Sequence, residues 1–187
     1  DGLVDHAGGS HLTADPPETS EWATTNVSNV EVTGDRSVTI ELSPPVTLSG
    51  RVLDGLGAGI DGISMQLVPE AGGVSLETWT EGGGGYSFTV APGNYRLNLS
   101  GQSPPDAAAP ATFHLSLNEP LPLTADLVLD LPLPVREVAV HVQDPAGDPV
   151  EGVELSTTMA HNADLTMSGY SWYGSSDYPD WTASPST

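Results

Sequence analysis

Cysteine is absent from the 187 residues, and with it go disulfides, thiolate catalysis, iron–sulfur clusters and cysteine-based zinc sites. Lysine is absent too. Four arginines (Arg36, Arg51, Arg96, Arg136) stand against 25 acids, for a formal net charge of −21. The acid count is ordinary; the imbalance comes from the missing bases. A surface that tracks phosphates needs clustered Lys or Arg, so no nucleic acid and no anionic membrane is expected as a partner. Without lysine there is also no donor for a lysine–asparagine isopeptide staple, which leaves packing and hydrogen bonds to hold the fold. Cut at residues 45 and 135, the three pieces each carry −7, an evenly spread solvating coat rather than a focused site. No stretch approaches the roughly 18 apolar residues of a membrane helix, so no membrane insertion is expected. The chain opens on Asp1 without a signal-like hydrophobic stretch, which reads as processed or excised from something longer.

Helical spacing is scarce as well. The alanine cluster Ala107–Ala109 is stopped at once by Pro110. Strict alternation recurs instead: Val38/Ile40/Leu42, Ile63/Met65/Leu67, Tyr86/Phe88/Val90, Tyr95/Leu97/Leu99, Phe113/Leu115/Leu117, Leu127/Leu129/Leu131 and Val138/Val140/Val142. Period two places each set on one face of a half-buried strand. Many such strands between Gly/Pro turns predict an all-β antiparallel sandwich with essentially no helix.

The chain also repeats itself. Residues 46–67 lie over 136–157 at an offset of 90, matching Val52 to Val142, Asp54 to Asp144, Gly57 to Gly147 and Gly62 to Gly152. Asp144-Pro145-Ala146-Gly147 has the residues of a type I turn, and Asp54-Gly55-Leu56-Gly57 keeps its Asp and its last Gly. Upstream, 38–46 and 127–135 match at an offset of 89, each an alternating strand followed by a proline joint. The repeat defines a module of about 90 residues over 46–134. Residues 1–45 then read as the end of a preceding module and 135–187 as the beginning of a following one. Short proline joints restrict the freedom between modules and predict a semi-rigid rod.

Several segments of the central stretch carry a resemblance: Ser49-Gly50-Arg51-Val52, Asp54, Gly57, Ile60-Asp61-Gly62-Ile63, Gly85-Tyr86-Ser87-Phe88 and Ala91-Pro92-Gly93-Asn94-Tyr95. Together they resemble the carboxypeptidase regulatory-like domain, a small transthyretin-like (prealbumin-like), Ig-like β-sandwich. The resemblance implies tandem sandwiches used as spacers in surface proteins or beside catalytic domains of secreted hydrolases and peptidases; some relatives bind starch or other glycans. Pro92-Gly93 fits a type II turn, with glycine at the positive φ. The run Glu81-Gly82-Gly83-Gly84-Gly85 departs from the family's shorter Asp/Gly turn.

Candidate sites are few. The five histidines (His6, His11, His114, His141, His161) show no metal-binding spacing, no serine stands in a nucleophile elbow, and no carboxylate pair sits in an apolar context. No enzyme activity is expected. Calcium is the cation that the Asp-Gly loops would take, through Asp54 and Asp61 in the first copy and Asp144, Asp148 and Glu151 in the second. The simpler reading of those residues is that Asp opens a turn through its own backbone hydrogen bond. At the C-terminus, Tyr170, Trp172, Tyr173, Tyr178 and Trp181 fall within 12 residues among Ser, Gly and Asp. Exposed rings there would stack on a glycan; alternatively Tyr170 and Trp172, two apart, point into the core. The expectation is a non-catalytic extracellular or cell-surface segment, a stalk, spacer or filament-forming unit. Its partners would be neighbouring modules or copies of itself through strand exchange. The alternatives are a glycan-binding module built on the C-terminal aromatics and an accessory domain of a secreted hydrolase or peptidase.

Overall fold

The computed structural model describes residues 6–17, 19–35, 37–104, 109–110, 112–135, 141–150, 152–155, 163–177 and 181–182. Among them there are strands and no helix. β1 (His6–Ala14) and β2 (Thr25–Val32) pair antiparallel in a sheet of their own, with two register shifts. The main body is built from β3 (Val46–Leu53), β4 (Ser64–Pro69), β5 (Leu76–Trp79), β6 (Gly85–Val90), β7 (Gly93–Gln102), β8 (Thr112–Leu117) and β9 (Leu121–Leu123). It continues through β10 (Leu127–Val128) and β11 (Leu131–Pro132). After these come β12 (Glu154–Leu155), β13 (Ala163–Met167), β14 (Tyr170–Asp177) and β15 (Trp181–Thr182), of which β12 and β15 pair antiparallel in a two-stranded sheet.

Two open sheets enclose the core. The larger runs β13-β14-β8-β7-β4-β5, all antiparallel, with β9 also on β7. The smaller has β3 at its centre, β6 antiparallel on one side and β10 and β11 parallel on the other. The alternating apolar sets dictate this layering. Met65 and Leu67 of β4, Leu97 and Leu99 of β7, and Phe113, Leu115 and Leu117 of β8 are buried against Leu48 and Val52 of β3 and Phe88 of β6. Each such side chain contributes roughly 1.5–3 kcal/mol when fully buried.

Phenols tie the layers to backbone. Tyr95 donates to Ala91 O at 2.7 Å, closing the corner where β6 turns into β7, and Tyr86 reaches Leu129 O at 2.6 Å. Burial pushes the Tyr86 phenol far above its ordinary pKa, with the charge of Asp130 adding to the shift. The parallel seam between β3 and 127–133 is stitched by Leu129 N to Ser49 O and Leu133 N to Leu53 O, at 2.7 and 2.8 Å. The Asp126 and Asp130 carboxylates accept Thr47 N and Arg51 N beside it. Gly50 makes that close passage feasible, since a Cβ there would sit 2.0 Å from Leu129 O.

Two features depart from the expectations above. Val38, Ile40 and Leu42 belong to no strand: residues 37–45 carry no ladder, and Val38 is exposed. Alternation alone does not make a strand; a partner edge is needed, and the following Pro44-Pro45 offers no N–H to one. Gly93 does not take a positive φ, so Pro92-Gly93 is not a type II turn; Gly93 opens β7 beneath the Tyr95 ring. The larger sheet also takes in two strands from the last part of the chain. The hairpin β13–β14, turned by Ser168 (φ 54) and Gly169 (φ 81), lies along β8 from Trp172↔Leu117 to Asp177↔Thr112. Two consecutive positive φ values are the requirement of the tight hairpin turn whose twist matches the strands. Of the alternating set in the last piece, Val138 and Val140 lie outside the described residues, and Val142 is half-buried.

Candidate functional site

The two copies of the Asp-Gly loop fold alike. Asp54 Oδ1 accepts Leu56 N and Ala58 N at 2.9 and 2.8 Å; Asp144 Oδ1 accepts Ala146 N and Asp148 N at 2.8 and 2.9 Å. Asp54 N reaches Ala58 O and Asp144 N reaches Asp148 O, at 2.8 and 2.9 Å. Gly57 and Gly147 share a positive φ (86 and 93), as do Gly62 and Gly152 (79 and 70). Each carboxylate is thus occupied with its own turn's N–H groups, the behaviour of an aspartate that opens a turn.

In the first copy a second loop locks onto the turn. The run 81–85 closes between Glu81 and Gly85, paired both ways at 2.9 and 2.8 Å, with Gly82, Gly83 and Gly84 all at positive φ. Asp61 Oδ1 accepts Gly83 N at 2.8 Å and Gly84 N at 2.6 Å, while Arg51 Nε and Nη2 donate to Gly83 O at 2.8 and 2.6 Å. A Cβ on Gly84 would meet Val52 O at 2.3 Å, so the glycine run is a packing requirement and not a spacer. Beneath it, buried Thr80 donates to Ile60 O and accepts Ile63 N, at 2.6 and 2.9 Å. Asp61 therefore holds this loop from outside while Asp54, 6% exposed, holds the turn from within. Among the described residues no three acidic or histidine side chains converge as a metal site would require. Glu151 lies outside the described residues.

The C-terminal aromatics separate. Trp172 is fully buried, its Nε1 donating to Met167 O at 3.1 Å, and no face of the ring is left for a sugar. Tyr170 is half-buried against the same core, whereas Tyr173 is 45% exposed. Tyr178 and the side chain of Trp181 lie outside the described residues.

Register reveals a surface that linear inspection missed. On the outer face of the larger sheet, one row crosses Trp79, Ser64, Ser100, His114 and Ser175. The next crosses Glu77, Gln66, Asn98, Ser116, Tyr173 and Asp164. Trp79 at one side is 56% exposed. Neighbours are bonded: Ser64 Oγ to Glu77 Oε1 (2.8 Å), Asn98 Nδ2 to Gln66 Oε1 (3.2 Å) and Ser116 Oγ to Asn98 Oδ1 (2.6 Å). Beside Trp79 the face runs into a shallow hollow of about 560 Å³ lined by Glu77, Glu81, Tyr86 and Ser87. The usable signal was the set of polar residues between the apolar alternants of β4, β7 and β8. A second cleft, of about 640 Å³, lies between the β1–β2 hairpin and the body, against Trp22, Val74 and Tyr95.

Comparison with family models, curated proteins and solved structures finds no match to this chain. The resemblance to the carboxypeptidase regulatory-like domain rests on the residues that carry it.

Proposed function

We propose that the chain is a non-catalytic segment of tandem transthyretin-like sandwich modules of about 90 residues. In this reading it serves outside the cell or at its surface as a stalk, spacer or filament-forming unit. The observation that carries the reading is the identical hydrogen-bonded turn at Asp54 and Asp144, separated by one repeat length. A turn that recurs with its backbone bonds marks the start of the same supersecondary unit twice. The hairpin β13–β14, laid on β8 from beyond the module boundary, supports partnership between consecutive modules through strand pairing. The even acidic coat suits a long, soluble element that does not adhere to polyanions.

The test is analytical ultracentrifugation with negative-stain microscopy, from dilute to concentrated protein. The reading expects elongated particles, either single at every concentration or lengthening head to tail as concentration rises. Compact particles of constant mass contradict it.

A further inference from the structure

We propose that the outer face of the larger sheet, between Trp79 and Tyr173, is a binding platform for an extended neutral polysaccharide. The proposal does not rest on the array reading, and either can fail without the other.

Charge is missing from this face. In a chain with 25 acids and a net charge of −21, the two rows carry no carboxylate on β4, β7, β8 or β14. Ser64, Ser100, His114 and Ser175 fill one row there, and Gln66, Asn98, Ser116 and Tyr173 the other. Glu77 and Asp164 stand only at the rims. A solvating face of so acidic a protein would carry its share of the coat, as the outer side of the smaller sheet does with Arg51, Asp126 and Asp130.

Two exposed rings flank the platform. Trp79 and Tyr173 are large, exposed and on the same face, four strand spacings apart, roughly 19 Å. An exposed ring offers an apolar surface to stack on the axial hydrogens of a pyranose, while hydroxyls beside it are met by polar groups. Between these rings lies a ladder suited to that task. Serine hydroxyls and carboxamides both donate and accept, as sugar hydroxyls do. The bonds along this ladder take Gln66 by its oxygen and Asn98 by both its oxygen and its nitrogen, and so hold the row in place, which lowers the ordering cost of engaging a ligand with the hydrogen-bonding capacity that remains.

Shape and charge select the ligand. The face crosses several strands and opens beside Trp79 only into a shallow hollow, which suits a chain lying along it rather than a small molecule held in a cavity. The field of the protein repels uronates and sulfated glycans, leaving neutral polymers. This platform is distinct from the C-terminal aromatic cluster, with which it shares only Tyr173.

The experiment is affinity electrophoresis in native gels containing soluble xylan, glucomannan or β-glucan, with sedimentation on insoluble cellulose and chitin. At least one of these neutral polymers should retain the chain, and alginate should not. Trp79→Ala and Tyr173→Ala, at opposite rims, should each weaken retention about tenfold. Both side chains are exposed, so a thermal scan should find the fold intact. Trp22→Ala, at an exposed tryptophan that lines the cleft beside the β1–β2 hairpin and belongs to neither row, should bind like the parent. Failure of every neutral polymer to bind, or retention that survives both rim substitutions, overturns the proposal.

Discussion

The turns at Asp54 and Asp144 have the same backbone and opposite fates. Around the first, Asp54 is 6% and Ile60 2% exposed, and the triple-glycine loop closes over Val52. Around the second, Asp144 is exposed and Val150, the counterpart of Ile60, is 39% exposed. Ile60 N to Val52 O and Val150 N to Val142 O are nonetheless equivalent bonds, at 2.9 and 3.1 Å. Local chemistry thus makes the turn: aspartate accepting two N–H groups, glycine taking the positive φ. Burial comes from elsewhere, from strands far along the chain that cover one copy and not the other.

Four perturbations probe this difference. The largest effect falls on Trp172, which the hairpin contributes to the core between the two sheets. Trp172→Ala should cost about 3–5 kcal/mol in denaturant unfolding, as large aromatic truncations do. Loss below about 1 kcal/mol would mean that the hairpin is not integral to the sandwich. Next, Ile60→Ala should destabilise by about 2–4 kcal/mol, while Val150→Ala stays within about 0.5 kcal/mol. Equal losses would erase the contrast. Third, Asp54→Ala should cost about 1–3 kcal/mol because it leaves N–H groups of a part-buried turn unpaired. Asp144→Ala, where water replaces the carboxylate, should cost less than half as much by the same measurement.

The smallest effect is alkaline. Tyr86 has no tyrosine counterpart one repeat later, where Ser176 stands. The folded phenol holds its proton well above the ordinary value of 10.0, so the folded state binds more protons than the unfolded one in alkali. Stability should therefore be level below about pH 10 and fall above it, as the unfolded phenol ionises. Tyr86→Phe should flatten that decline in urea melts taken across the range; an unchanged slope would remove Tyr86 from the account.

The inner face of the sandwich was largely legible in the sequence. Ile63/Met65/Leu67, Leu97/Leu99, Phe113/Leu115/Leu117 and Leu129/Leu131 are buried as their period requires. The turn chemistry at Asp54 and Asp144 could be read as well, since it depends on a few adjacent residues. What escaped was non-local. Val38/Ile40/Leu42 has the pattern of a strand without an edge to join, and no pattern reveals that β14 will find β8. The glycine run at 82–84 looked like a departure from a family motif until the approach of Val52 O and the grip of Asp61 and Arg51 explained it. The Trp79 face escaped for a related reason: its members lie on different strands, and only register brings them into rows.

The account turns on whether the hairpin at 163–177 and the strands of 46–134 form one cooperative unit. Native-state hydrogen exchange measures this without altering the chain. Amides of β14 that pair with β8, such as those near Trp172 and Gly174, should open with the same free energy as the central amides of β4 and β7. Amides around Asp144 should exchange orders of magnitude faster. If β14 exchanges at the rate of the Asp144 turn while β7 remains protected, the hairpin is not part of the sandwich and the account fails.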